Sequence, residues 1–219
     1  MFSTLHRFFR ISLVAGAALA APLALAPAQA ASPAAIALNA EQTEAVQRIN
    51  AFLNSYQSLK GDFVQISPKG RTTRGVMLIS KPGKLRFEYE PPNPLLIVSD
   101  GKWLTIKNKT KEKGDQVPLS STPLRLIVAP KVNILSEASV VGFEQAEGVT
   151  TVTLAERNGG LDGQIVLIFD DASNQLQQWI IVDGKGQRTT VQLGNLERDV
   201  AIDPKVFAVT IKRKERDSK

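Results

Sequence analysis

Cysteine is absent from the chain, and its only histidine is His6. Lacking both residues beyond position 6, the chain cannot assemble a Ser-His-Asp or Cys-His nucleophile, and it misses the usual zinc ligands. Most common hydrolase chemistry is excluded, an enzyme is not expected, and no cofactor or metal is implied. An exported chain without cysteine has no disulfide staple either, so burial alone must hold its fold. It is not expected to be a lipoprotein itself, because lipid attachment at a mature N-terminus needs a cysteine at the cleavage point. A clustered basic face with interleaved aromatics is also missing, which excludes nucleic acid as a partner. No Pro/Gly/Ser-rich linker, fixed-period repeat or low-complexity block divides the chain.

What is present begins with an export signal. Arg7 and Arg10 form a basic start, Ile11 to Ala26 an apolar stretch, and Ala28-Gln29-Ala30 a small-residue cleavage site. The apolar stretch is short for a bilayer core, which asks for about 20 residues. A cleaved secretory signal peptide is therefore expected over residues 1–30, with residues 31–219 forming a single domain. Removal of the signal takes away two basic residues and no acidic ones, so the formal net charge falls from +6 to +4.

The stretch Ser80 to Tyr89 organises the rest. Leu85, Phe87 and Tyr89 alternate with Arg86, Glu88 and Glu90, the pattern of a strand with one apolar and one wet face. Lys81-Pro82-Gly83 supplies the turn into it, and Pro91-Pro92-Asn93 ends it. Asp100-Gly101 between Leu95–Val98 and Trp103–Ile106 is a hairpin signal, so three antiparallel strands follow one another. Upstream, Asn39 to Lys60 predicts the one long helix, with Asn39 as cap, Gln42 completing a capping box, and Gly61 at the C′ position. Ala45, Ile49, Phe52, Leu53, Tyr56 and Leu59 form its apolar stripe. A first hairpin, Asp62–Ser67 with Thr72–Ser80, turns around Pro68-Lys69-Gly70. Lys109 to Asp115 is too polar to read as a strand. Thr122-Pro123 predicts a short helix through Val128, and Ile134 to Ala138 a further turn. Strands at Val140–Gln145, Thr150–Glu156, Gln164–Asp170, Leu176–Val182 and Thr189–Leu193 then indicate an antiparallel sheet curling toward a barrel. Ile165 to Phe169 is apolar on both faces and must be covered on both.

Ser80 to Tyr89, Val98-Ser99-Asp100-Gly101-Lys102, and Thr122-Pro123-Leu124 with Leu126-Ile127, preceded by Phe63-Val64-Gln65, resemble in order and spacing the signature of the LolA family of periplasmic outer-membrane lipoprotein carriers. The resemblance implies a mainly β fold with some α: an open half-barrel of antiparallel strands covered by a helical lid. It also implies a periplasmic monomer that takes outer-membrane lipoproteins as cargo from an ATP-driven inner-membrane exporter and passes them to an outer-membrane acceptor.

The residues alone leave the interior open: a barrel of this strand number is filled by side chains or holds a ligand. The resemblance favours a lipid-binding cavity lined by Leu85, Phe87 and Tyr89 from the sheet and by Ile49, Leu53, Tyr56 and Ile127 from the helices. It further implies that Lys81, where the family tends to carry arginine, latches the sheet to carbonyls of the lid; otherwise Lys81 is a solvated lysine beside a turn. Two other classes share such a fold and stay open, a binder of free fatty acids or similar amphiphiles and an envelope-stress regulator. Asp170-Asp171 with Asn174 reads as a plain turn rather than a calcium loop, and Glu88 with Glu90 as a solvated sheet face rather than a glycosidase pair. The tail Lys212-Arg213-Lys214-Glu215-Arg216 reads as a solvated end, with contact to anionic lipid heads as its alternative.

Overall fold

Asn39 starts the one long helix among the residues that the computed structural model describes, 34–157 and 163–211. The expected signal segment, the turn at Asn158-Gly159-Gly160 and the basic tail from Lys212 lie outside these residues. In helix α1 (Ala40–Asn54) the Asn39 Oδ1 accepts from the Gln42 N–H at 2.8 Å, and Gln42 Oε1 accepts from the Asn39 N–H at 3.0 Å. Two of the donors left unpaired at the helix start are thereby satisfied. Ala45, Val46, Ile49, Phe52 and Leu53 are buried at helical spacing.

The helix is six residues shorter than its apolar stripe predicts. The N–H and hydroxyl of Ser55 both donate to the Phe52 carbonyl, at 3.0 and 2.8 Å, which closes the last turn. The chain then enters β1 (Ser58–Ile66), so Tyr56 lies in the link and Leu59 on the strand, and Gly61 is a strand residue rather than a helix terminator. Leu59, Gly61 and Phe63 alternate inward at the strand period. Pairing with strands on both sides gives β1 two hydrogen-bonded ladders, which continued helix could not.

The remaining strands are β2 (Thr72–Ser80), β3 (Lys84–Tyr89), β4 (Leu95–Asp100), β5 (Trp103–Asn108), β6 (Gly114–Pro118), β7 (Ala138–Ala146), β8 (Val149–Glu156), β9 (Gly163–Asp170), β10 (Gln175–Asp183) and β11 (Arg188–Arg198). They make one antiparallel sheet in the order β6-β5-β4-β3-β2-β1-β11-β10-β9-β8-β7. β6 and β7 are its two edges and do not pair, so the barrel stays open. β6 was not expected as a strand; four of its five residues are exposed, and an edge strand wet on both faces carries no apolar period.

The connection from β6 to β7 contains 3-10 turns at Leu119–Ser121 and Pro123–Leu126 and a short helix, α2 (Ile134–Glu137). Thr122 does not cap: its hydroxyl donates to the Leu119 carbonyl at 2.9 Å, and the turn after Pro123 stays 3-10 instead of running as helix to Val128. With α1 this connection forms the lid over the concave face. At the β2–β3 turn Gly83 has φ +75, and a Cβ there would stand 2.8 Å from the Gly101 Cα of the β4–β5 turn. The two turns therefore stack glycine to glycine.

Inward residues of the sheet and the lid share one apolar cluster. A second, on the convex side, joins Leu96 and Val98 of β4 to Phe207, carried by a 3-10 turn at Pro204–Phe207. On β9, Ile165, Leu167 and Phe169 point into the main cluster, while Val166 on the other face is also buried, at 6% exposure.

Candidate functional site

Seven residues marked out by the sequence meet between lid and sheet. Ile49 and Leu53 come from α1, Tyr56 from the link, Leu85, Phe87 and Tyr89 from β3, and Ile127 from the connection after Pro123. None is more than 6% exposed. A wall facing an enclosed space large enough for water would carry accessible surface, so in this closed state the interior is filled side chain against side chain. Aromatic rings dominate it: Phe63 meets Phe87 and Tyr89 edge-on at 5.1 and 5.0 Å between centroids, and Phe87 meets Trp179 at 6.1 Å. The polar edge is closed as well. Tyr89 donates to Gln65 Oε1 at 2.5 Å, and burial pushes its phenol up to about 12, so it stays a neutral donor. Burial likewise holds the Tyr56 phenol well above the usual range, with Arg198 opposing the shift.

The apolar surface is not fully covered. Phe87, Ile97 and Ile106 lie opposite one another across β3, β4 and β5, and exposure rises along that row from 6% at Phe87 to 37% at Ile106. Val117 of β6, facing the same way, is 39% exposed. An apolar strip thus leads from the interior to the open edge of the barrel.

Few polar contacts hold the lid down. Lys81, on the turn between β2 and β3, is 9% exposed; its ammonium donates to the Leu53 carbonyl and stands 4.5 Å from the centroid of the Tyr56 ring. Leu53 lies in the last turn of α1, where carbonyls lack helical partners and the helix dipole is negative. That turn has no basic residue of its own, and the sheet supplies the cation. Desolvation lowers the Lys81 pKa to about 8, against 10.5 for the free side chain. Beside it the Gly83 N–H donates to the Val128 carbonyl at 2.8 Å. Across the barrel, Arg125 pairs with Glu156 of β8 at 3.0 Å, and Arg48 of α1 lies 3.7 Å from Asp171.

The two halves of the lid are joined by asparagines that sequence reading missed. Asn54 Nδ2 donates to the Val132 carbonyl and its Oδ1 accepts from the Val132 N–H, both at 2.8 Å, while Asn50 Oδ1 accepts from the Ile134 N–H at 3.0 Å. Arg198, with its guanidinium carbon 5.0 Å from the Phe52 ring centroid, was missed too. These contacts span scores of positions, and no local pattern encodes them.

The other candidates resolve as structure. Asp170 accepts from the Ser173 N–H at 2.6 Å and Asp171 from the Thr150 hydroxyl at 2.8 Å, as turn and strand contacts. Among the described residues no cluster of three or more metal-ligating side chains occurs. Glu88 is shared by Arg86 at 2.7 Å and Lys109 at 3.2 Å, and the hydrogen bond from Arg86 is the main reason that its carboxyl titrates below the usual range.

Comparison with known proteins points the same way. The family described as outer membrane lipoprotein carrier protein LolA matches residues 54–210. An outer-membrane lipoprotein carrier protein from Chromobacterium violaceum is 35% identical over 203 residues, covering 90% of this chain and 91% of the relative. Its counterpart from Chromohalobacter salexigens is 30% identical over 215 residues, covering 94% of each. A solved LolA superfamily protein from Nitrosomonas europaea is 11% identical at a TM-score of 0.45, covering 77% of this chain and 97% of that one. With the family matching most of the chain and relatives aligning nearly end to end, the protein belongs to the LolA family of outer-membrane lipoprotein carriers.

Proposed function

We propose that the protein is a periplasmic carrier, not an enzyme, that shields the acyl chains of lipoproteins between its concave sheet and its lid while they pass from the inner to the outer membrane. The observation that carries this reading is an interior made of apolar side chains beneath a lid fastened by a handful of polar contacts, with an apolar strip running out to the open edge. Exposing an acyl chain to water costs about 0.8 kcal/mol per methylene, so ten methylenes cost roughly 8 kcal/mol and free diffusion between membranes is negligible. The closed interior is full, so loading requires the lid to swing away. Leu85, Phe87 and Tyr89 then contact the chains from the sheet, and Ile49, Leu53, Tyr56 and Ile127 from the lid side.

Transfer from bilayer to protein is close to neutral, since both environments are apolar. Energy must come from an ATP-driven exporter in the inner membrane, and release from an acceptor in the outer membrane whose site binds the chains better. Lys81 latches the closed lid through Leu53. The test is to incubate purified protein with inner-membrane vesicles and ATP. Lipoproteins appearing in the soluble fraction only when both protein and ATP are present support the carrier. Recovery of free fatty acids but no lipoproteins would turn the reading to a binder of simple amphiphiles.

A further inference from the structure

The strand order places four hairpin tips side by side at one end of the barrel: 67–71, 90–94, 109–113 and 184–187. Basic residues concentrate there. Lys69 and Arg71 sit on the first tip with Arg74 just below it, Lys109, Lys111 and Lys113 on the third, and Lys185 with Arg188 on the fourth; all are exposed. Against these eight cations the same end exposes four carboxylates, Glu90, Glu112, Asp115 and Asp183. Lys109 also pairs with Glu88 of β3, at 3.2 Å. The opposite end has no such excess. Its turns carry six acids, Asp100, Glu147, Asp170, Asp171, Asp199 and Asp203, against five bases, Lys81, Lys84, Lys102, Arg198 and Lys205. The fold has thus gathered a mild net positive charge at one end of the strands.

We infer that the basic hairpin end docks the protein on an anionic phospholipid surface. Neighbouring hairpins lie about two strand spacings apart, roughly 10 Å, so the cations spread over about 30 Å along the end of the sheet. Long, flexible Lys and Arg side chains on separate tips do not converge on one point, as they would to hold a single phosphate or carboxylate. They match a broad, laterally mobile field of headgroup charges, to which each basic residue near the surface contributes about fivefold in partitioning. The apolar strip along Ile97 and Ile106 runs across the sheet to edge strand β6, whose first residue directly follows the third tip. This inference goes beyond the carrier reading and is tested without any lipoprotein.

The experiment is sedimentation with vesicles of pure phosphatidylcholine and with vesicles containing anionic phosphatidylglycerol, at low and high salt. Three proteins are compared: wild type, a tip variant (K69Q/R71Q/R74Q/K185Q), and a control with K102Q and K205Q at the other end. All three share the same chain termini, so any difference between them belongs to the sites changed. Wild type and control are expected to bind the anionic vesicles only and to release in high salt. The tip variant should lose at least 25-fold in partitioning, the effect of two residues reaching the surface. Equal binding by the tip variant, or equal binding to both vesicle types, overturns the inference. Failure to bind anionic vesicles together with salt-sensitive binding to polyglutamate overturns it in favour of an acidic protein partner.

Discussion

If Lys81 fastens the lid, its removal must loosen α1 without loosening the sheet. The ammonium donates to a carbonyl at the C-terminal end of the helix, and hydrogen bonds to charged groups contribute about 1.5–3 kcal/mol. Burial opposes it: the lowered pKa means that closing the lid over the charge costs more than the charge itself returns, which leaves the hydrogen bond and the contact with the Tyr56 ring to hold the lid. A net loss of about 1.4 kcal/mol, tenfold in the opening equilibrium, is expected for Lys81→Met. Amide exchange at Ala45, Ile49 and Phe52 reads that equilibrium directly, with the strands β1 and β2 as internal reference. The titration adds a second signature. With the lid closed, Lys81 titrates near 8, and when it is solvated in the open form it titrates near 10.5. Between these values the open form holds a proton that the closed form lacks, so rising pH favours closure across that window; below about 8 both forms are protonated and the dependence vanishes. Protection of α1, corrected for intrinsic exchange, should therefore rise above pH 8 in the wild type. Lys81→Met should lose both the protection and the pH slope. Lys81→Arg, charged throughout and able to donate to more than one carbonyl, should keep the protection, lose the slope and slow lipid release. Unchanged α1 exchange in Lys81→Met would refute the latch and leave Lys81 an ordinary residue beside a turn.

Three further outcomes follow from the same contacts. Leu85→Glu places a carboxylate at a position 1% exposed, where an unpaired charge is strongly unfavourable; opening the lid hydrates it more cheaply than unfolding the sheet. Circular dichroism should stay native while α1 protection and lipid binding are lost, and outright unfolding would show the interior to be a fixed core. Asn54→Ala removes both hydrogen bonds to Val132 and should lower stability by about 1–3 kcal/mol in urea titration, with exchange at Val132 and Ile134 accelerating first. A change under 0.5 kcal/mol would mean that the two lid segments are not joined there. At Gly75 a Cβ would lie 2.1 Å from the Glu88 carbonyl oxygen and 2.7 Å from the Phe63 ring, so Gly75→Ala should cost about 1–3 kcal/mol in thermal denaturation even though alanine is only one methyl larger. An unchanged melting temperature would place the Phe63 ring elsewhere.

The sheet was legible because its signals are local. Alternation at Leu85, Phe87 and Tyr89, the Asp100-Gly101 turn and the capping box at Asn39 each lie within a few residues, and each is found in the structure. The helix end was not legible, because Tyr56 and Leu59 fit a helical stripe and an inward-facing link and strand equally well. Only the partners of β1, some 20 and 140 positions away along the chain, decide between them. β6 escaped notice because an exposed edge needs no apolar residues. Within the candidate site, the β3 residues could be read from their period, whereas Asn50, Asn54 and Arg198 act through contacts across the fold that no window of sequence contains.

The chain's two tryptophans sit on opposite sides of the sheet, and they offer the most direct test of where a lipid is held. Trp179 is inside, 2% exposed and against Phe87; Trp103 is on the outward face of β5, 43% exposed. A lipoprotein carrying brominated acyl chains should quench Trp179 emission in the Trp103→Phe protein and leave Trp103 emission unchanged in the Trp179→Phe protein. Quenching of Trp103 with Trp179 unaffected would contradict the account, because the chains would then lie outside the barrel and the lid would cover nothing but a core.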